Sequence, residues 1–162
     1  MIQRLLPFFT LIALFIGLSV ASPHFLTPTN IASVIRQTAV LNIMALGMTM
    51  IIIAGGIDLS VGAILALSGF LGCSLMASGY PIWVGLCAGV MVGAVCGLAN
   101  GVMTAKLKIN PFIVTLGTMG IYRGVSLILS GGLGLHSLPK GFSYLGEGSV
   151  LHVPFVLLVL LA

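Results

Sequence analysis

Residues 82–105 read IWVGLCAGVMVGAVCGLANGVMTA, and this stretch decides the class of fold. It carries no charged side chain. As a helix it extends about 36 Å at ~1.5 Å per residue, enough to cross a hydrocarbon core about 30 Å thick. Gly85, Gly89, Gly93, Gly97 and Gly101 recur at every fourth position, so GxxxG units follow one another without a gap. Glycine at this spacing strips side chains from one helix face and lets a second backbone approach closely. The spacing predicts that this face packs on another helix, one of the same subunit in preference to a subunit interface. Either case requires a bundle of several membrane helices.

The composition around it agrees. The chain has 162 residues, of which 59% are hydrophobic and 5% charged. An ordinary soluble domain carries about 25% charge. Six basic and two acidic residues cannot coat a globule of this size. That excludes a soluble enzyme, a nucleic-acid-binding domain and a disordered chain. The expected fold is all-α: a polytopic transmembrane helix bundle with five complete spans and the start of a sixth. The formal net charge of +4 then speaks of topology.

Working outward, residues 5–21 form a first apolar run. A small-x-small pattern at Ser19-Val20-Ala21 fits a signal-peptide cleavage site. The run is too long for that, and more membrane segments follow, so it reads as a helix that stays. Residues 22–30 connect, with Pro23 and Pro28 as breakers and Asn30 as the expected cap of the next helix. Residues 31–38, with Arg36, read as interfacial, and 39–54 as the second run, ended by Gly55-Gly56. The third run is 61–78, the fourth 82–105 and the fifth 112–129. Residues 79–81 make a turn with Tyr80 at the interface. Residues 130–149 form a Gly-rich connection holding His136, Lys140 and Glu147, and 150–162 begin a sixth run. Those last residues reach only about 20 Å, so the chain reads as the N-terminal part of a longer protein.

Lys106 and Lys108 are the only close cationic pair, which places loop 106–111 in the cytoplasm. Counting from it puts the N-terminus and turn 55–60 inside, and turn 79–81 and connection 130–149 outside. Arg4 agrees with this assignment, and Arg36 and Lys140 run against it. The length of connection 130–149 suggests a docking role on the outer face.

Three clusters could carry chemistry. Gly55-Gly56-Ile57-Asp58-Leu59-Ser60-Val61-Gly62 interrupts a helix and offers Asp58 or Ser60 as a cap for the next. It is either an inner turn or a broken helix opening on a polar path. Thr115, Thr118 and Tyr122 follow i, i+3, i+7 spacing and share a face, lining a sugar-sized path or bonding neighbouring helices. Arg123 lies deep in an apolar run, where charge costs about 2.5–3.5 kcal/mol on insertion scales. We expect separate roles for Asp58, shaping the path from a helix start, and Arg123, in an outer-half cavity or interface. Asn42 and Asn100 read as packing glue. Cys73, Cys87 and Cys96 read as small apolar residues, and His24, His136 and His152 are scattered. No catalytic residue, cofactor site or metal site is expected. No GxxxxGK[ST] occurs, so any driving ATPase sits on another chain.

Residues 48–62, MTMIIIAGGIDLSVG, closely resemble the signature of the ribose-type family of bacterial ABC-importer permeases for monosaccharides. So do Asn100-Gly101 with Lys106-Leu107-Lys108-Ile109, and residues 111–119, PFIVTLGTM, with Arg123-Gly124. The three motifs stand in family order over roughly residues 30–132. Branched-chain amino-acid permeases share the architecture but not the GGIDLSVG block. The resemblance implies a multi-pass protein of the bacterial inner membrane, with residues 1–162 the N-terminal part of one permease domain whose C-terminal half is missing. It implies a second permease subunit, homo- or heterodimeric, a cytoplasmic ATP-binding-cassette ATPase and a periplasmic sugar-binding protein, all around the lipid bilayer, with no nucleic acid. The ATPase-coupling segment of the family falls in the missing half. The sugar stays open among ribose, xylose, galactose and autoinducer-like sugars. The alternatives are a secondary carrier or channel, with Asp58 binding a coupling cation, and a non-functional truncated permease.

Overall fold

The computed structural model describes residues 2–135, 137–150 and 153–154. The described chain is helical apart from one minimal ladder. Its helices are α1 Ile2–Ala21, α2 Pro28–Ile53, α3 Val61–Ala77, α4 Ile82–Ala105, α5 Pro111–Ser130 and α6 Lys140–Glu147. Three of them, α2, α4 and α5, are long and apolar enough to cross a membrane, and Leu5–Ala21 and Val61–Ala77 are shorter apolar helices.

Two expectations change at the start of α2. The interfacial piece 31–38 and the run 39–54 are one continuous helix, because no Gly or Pro separates them. Its cap is Thr27, not Asn30: the Thr27 hydroxyl accepts from Asn30 N–H at 3.3 Å, and Pro28 fills the first helical position. The Asn30 amide instead donates to the Phe25 carbonyl at 2.7 Å and ties the turn down. The sixth run, 150–162, lies mostly outside the described residues. Its described part is extended, β1 Ser149–Val150 pairing antiparallel with β2 Val153–Pro154.

The core lies among α3, α4 and α5, with the α3–α4 pair the most extensive contact. That pair is antiparallel and glycine-mediated. A Cβ built on Gly85 would stand 2.5 Å from the Gly72 carbonyl oxygen, and one on Gly89 3.2 Å from the Ser68 oxygen. One on Gly93 would meet Ile64 Cγ2 at 3.9 Å. The α3 stripe Ile64, Ser68, Gly72 thus runs against Gly93, Gly89, Gly85.

The expected five-glycine face does not hold along its whole length. At Gly97 and Gly101 an added Cβ meets nothing among the described residues within 4 Å. The reason is helical geometry. Four residues advance about 400°, so each GxxxG step drifts about 40° around the axis, and Gly101 sits about 160° from Gly85. One straight neighbour cannot cover both.

The same register sets the depth of α3. Extended one more step it brings residue 60 opposite residue 97, so α4 continues about 12 Å beyond the start of α3. The break at 54–60 therefore lies inside the bundle. It shares one end with loop 106–110, since Gly55, Ala105 and Pro111 line the same cavity. At the other end lie turn 78–81 and α6: Gly141 approaches Ile82 Cδ1, and Phe142 sits in a groove with Gly72 and Gly85. The connection 130–149 is thus in part a helix folded onto the bundle.

Candidate inner cavity and its polar chain

The site begins where α2 ends. Gly55 N–H bonds the Ile52 carbonyl and Gly56 N–H the Ile51 carbonyl, both at 2.9 Å. This closes a Schellman motif, which needs a left-handed residue, and Gly55 supplies it at φ +80°. The chain then reverses into Asp58. One carboxylate oxygen, Oδ1, accepts from Ser60 N–H at 2.7 Å and from the Ser60 hydroxyl at 2.6 Å. Ser60 holds the N-cap position of α3, but its hydroxyl makes no capping bond. Asp58 does the work through an Asx-type turn.

From Ser60 the hydrogen bonds pass to the other core helices. The Asn100 amide donates to Ser60 Oγ at 2.8 Å. The Tyr122 hydroxyl reaches the Cys96 carbonyl at 3.3 Å and Asn100 Oδ1 at 3.5 Å. Thr115 Oγ1 lies 2.8 Å from the Pro111 carbonyl and 3.2 Å from that of Ile57, fastening the break to α5. Thr118 bonds back to the Thr115 carbonyl at 3.4 Å. Ser60, Asn100, Thr115 and Thr118 are all buried. A buried polar chain of this kind fixes one arrangement of its helices, because any unmade bond leaves a costly unpaired group.

Beneath the start of α3 is a cavity of about 400 Å³. Asp58, Asn100, Thr104 and Thr115 face it, with Gly97 and Gly101 as a smooth wall. The two glycines that leave the α3 contact thus open space for this cavity. The expected sites divide accordingly. Asp58 and Thr115 are brought together here. Ser60 and Tyr122 are turned into contacts with α4, and Thr118 is buried and bonds within its own helix. Arg123 is exposed and lines a different groove, between α3 and α5.

Asn100, read as glue, is the hub of the chain, and Thr104 was not singled out. The available signal was periodic: Gly97, Asn100, Gly101 and Thr104 fall on one side of α4 at i, i+3, i+4, i+7.

The sequence matches the family described as "Branched-chain amino acid transport system / permease component" over residues 30–160. Among curated proteins it is similar to the ribose import permease protein of Bacillus subtilis, 40% identical over 154 residues, which is 94% of this chain and 48% of that protein. It is 35% identical to the L-arabinose ABC transporter permease protein of Azospirillum brasilense, over 89% of this chain and 42% of that one. It is 37% identical to the D-allose transport system permease protein of Escherichia coli K12, over 84% of this chain and 42% of that one. The chain spans about half the length of the curated relatives it matches. No solved structure matches it.

Proposed function

The chain belongs to the permease family whose description names branched-chain amino acid transport, and from that premise we propose that it is the membrane-spanning permease part of an ATP-binding-cassette importer moving a ribose-like monosaccharide. The observation that carries the substrate class is that relatives matching most of this chain are named for ribose, L-arabinose and D-allose. The family description names a different cargo, branched-chain amino acids, and we read the cargo from the relatives.

The cavity chemistry supports a polyol. Sugars present vicinal hydroxyls that donate and accept together. A carboxylate accepts, an amide does both, and Asp58 and Asn100 face one space with the hydroxyls of Thr104 and Thr115. Its volume of about 400 Å³ lies within the range of about 300–1,000 Å³ usual for small-molecule sites.

In this reading Asp58 and Thr115 line the path, and Ser60, Thr118 and Tyr122 hold its walls. The apolar helices α1 to α5 form five spans, with loop 106–110 in the cytoplasm of a bacterial inner membrane. Turn 78–81 and α6 face outward, where a sugar-binding protein docks. A second permease subunit and a separate ATPase complete the importer.

The test is uptake of labelled ribose, arabinose and allose into vesicles holding the permease, its ATPase and its binding protein. Uptake should require ATP and the binding protein. Asp58→Asn should lower uptake per molecule at least tenfold without lowering the amount in the membrane. Uptake driven by a cation gradient without ATP would establish the secondary-carrier reading instead.

A further inference from the structure

A groove of about 430 Å³ runs between α3 and α5 and shares no residue with the inner cavity. Gly62, Ala63 and Ala66 form its α3 wall, and Met119, Arg123 and Ser126 its α5 wall. Three properties of this groove point to one kind of occupant.

The first is shape. Gly62 and Ala66 stand four residues apart, and a Cβ on Gly62 would meet nothing within 4 Å. Small residues at that spacing admit a helix backbone. The second is depth. Arg123 is seven residues from the outer end of the 20-residue α5, about 10 Å, and about 18 Å from its start. It is exposed there, flanked by apolar residues above and below. A guanidinium at that depth is costly unless paired. The third is charge. The chain has two acidic residues, Asp58 and Glu147. Asp58, the acidic residue whose side chain is described, is committed to Ser60 and lines the other cavity. Among the described side chains, no counter-charge lies in the Arg123 groove.

We propose that this groove seats a transmembrane helix carrying an aspartate or glutamate at the depth of Arg123, supplied by the part of the permease that its relatives carry outside the matched region. The Bacillus subtilis relative is matched over 48% of its length, which leaves about as much protein again to furnish such a helix. The carboxylate pairs with the Arg123 fork, and the helix backbone lies against Gly62 and Ala66. This seat depends on shape and charge, and it holds whatever cargo the permease moves.

The test is made in the native membrane, with Ala66→Cys as the site of attachment for a short crosslinker and mass spectrometry of the captured peptide. The expected peptide is a membrane span with an acidic residue within one turn of the crosslink. Arg123→Asp should lower the amount of protein in the membrane at least tenfold. Exchanging the captured carboxylate for Arg in the same protein should restore at least half. Capture of lipid alone, or of a helix with no acidic residue, overturns the proposal. So does an Arg123→Leu variant present at the wild-type amount together with failure of every charge exchange. Both readouts are independent of sugar uptake, so they separate this seat from the transport reading.

Discussion

Alanine at Gly85 should separate α3 from α4, and the distances give the size of the effect. The new Cβ would lie 2.5 Å from the Gly72 carbonyl oxygen and equally close to Met76 Cγ. Ordinary contact begins near 3.4 Å, so the helices must part by close to 1 Å, and a carbonyl in a helix cannot swing aside as a side-chain tip can. Overpacking of this kind costs about 1–3 kcal/mol. We expect about 2 kcal/mol, roughly a thirtyfold loss in the folded-to-unfolded ratio. Gly97→Ala and Gly101→Ala should be neutral or stabilising by up to ~1 kcal/mol, because their space is open and alanine favours helix. Gly93, with 3.9 Å of clearance, should accept alanine as well. The double variant Gly72→Ala/Gly85→Ala should cost less than the two singles summed, since one separation relieves both clashes. The assay is unfolding in mixed micelles by titration with dodecyl sulfate. Energy transfer between labels at the exposed residues 65 and 98 reports the α3–α4 distance. Equal midpoints for Gly85→Ala and Gly97→Ala would refute the glycine-register argument.

Other predictions follow from the same contacts. Asn100→Ala removes the donor to Ser60 and a partner of Tyr122 in a buried site, and should cost about 1–3 kcal/mol in the same titration. Thr27→Ala removes the cap of α2 and should cost about 1 kcal/mol, read as faster hydrogen exchange at residues 29–31 with no change at α4. Single cysteines at positions 80 and 108 should label from opposite faces of the membrane; labelling of both from one face would overturn the proposed topology.

The helices were legible because their punctuation was chemical. Pro28, Pro81 and Pro111 stand at or beside helix starts, and Gly55, Gly79 and Gly131 follow helix ends with positive φ. Apolar runs between such marks leave little freedom. Reading α2 in two pieces failed because Arg36 suggested an interface, whereas a long basic side chain can lie along a helix it does not interrupt. Connection 130–149 concealed α6, whose glycines masked a short amphipathic helix that meets the bundle end through Gly141 and Phe142. The glycine repeat reads as packing, but its drift of about 40° per step around α4 divides it into a contact half and a cavity half. The polar residues were visible singly. Their chain was not, because Asp58 to Ser60 is local while Ser60 to Asn100 spans forty residues and depends on where α3 starts.

The start of α3 also decides what fills the cavity. α4 has 24 residues and spans about 36 Å, which exceeds a 30 Å core by about 3 Å at each end. In the proposed membrane arrangement, with α4 centred on the core, a break about 12 Å from its end lies roughly 9 Å inside the hydrocarbon. Backbone outside a helix survives at that depth only when protein or water satisfies it. Protein satisfies part of this one: α2 carbonyls take Gly55 and Gly56, Asp58 takes Ser60 N–H, and Thr115 reaches the Ile57 carbonyl. Ile57 and Asp58 line the cavity, while Leu59 turns to the groove between α3 and α5. A carboxyl group and free amides in a dry apolar void would cost several kcal/mol. Water in the cavity removes that cost, and a polar void of about 400 Å³ has room for several molecules. The same wet, hydrogen-bonding volume is what a sugar needs when it leaves bulk water, because each hydroxyl it carries must find a replacement partner. On the proposed reading, the broken helix is therefore tolerated for the same reason that the cavity would suit a polyol.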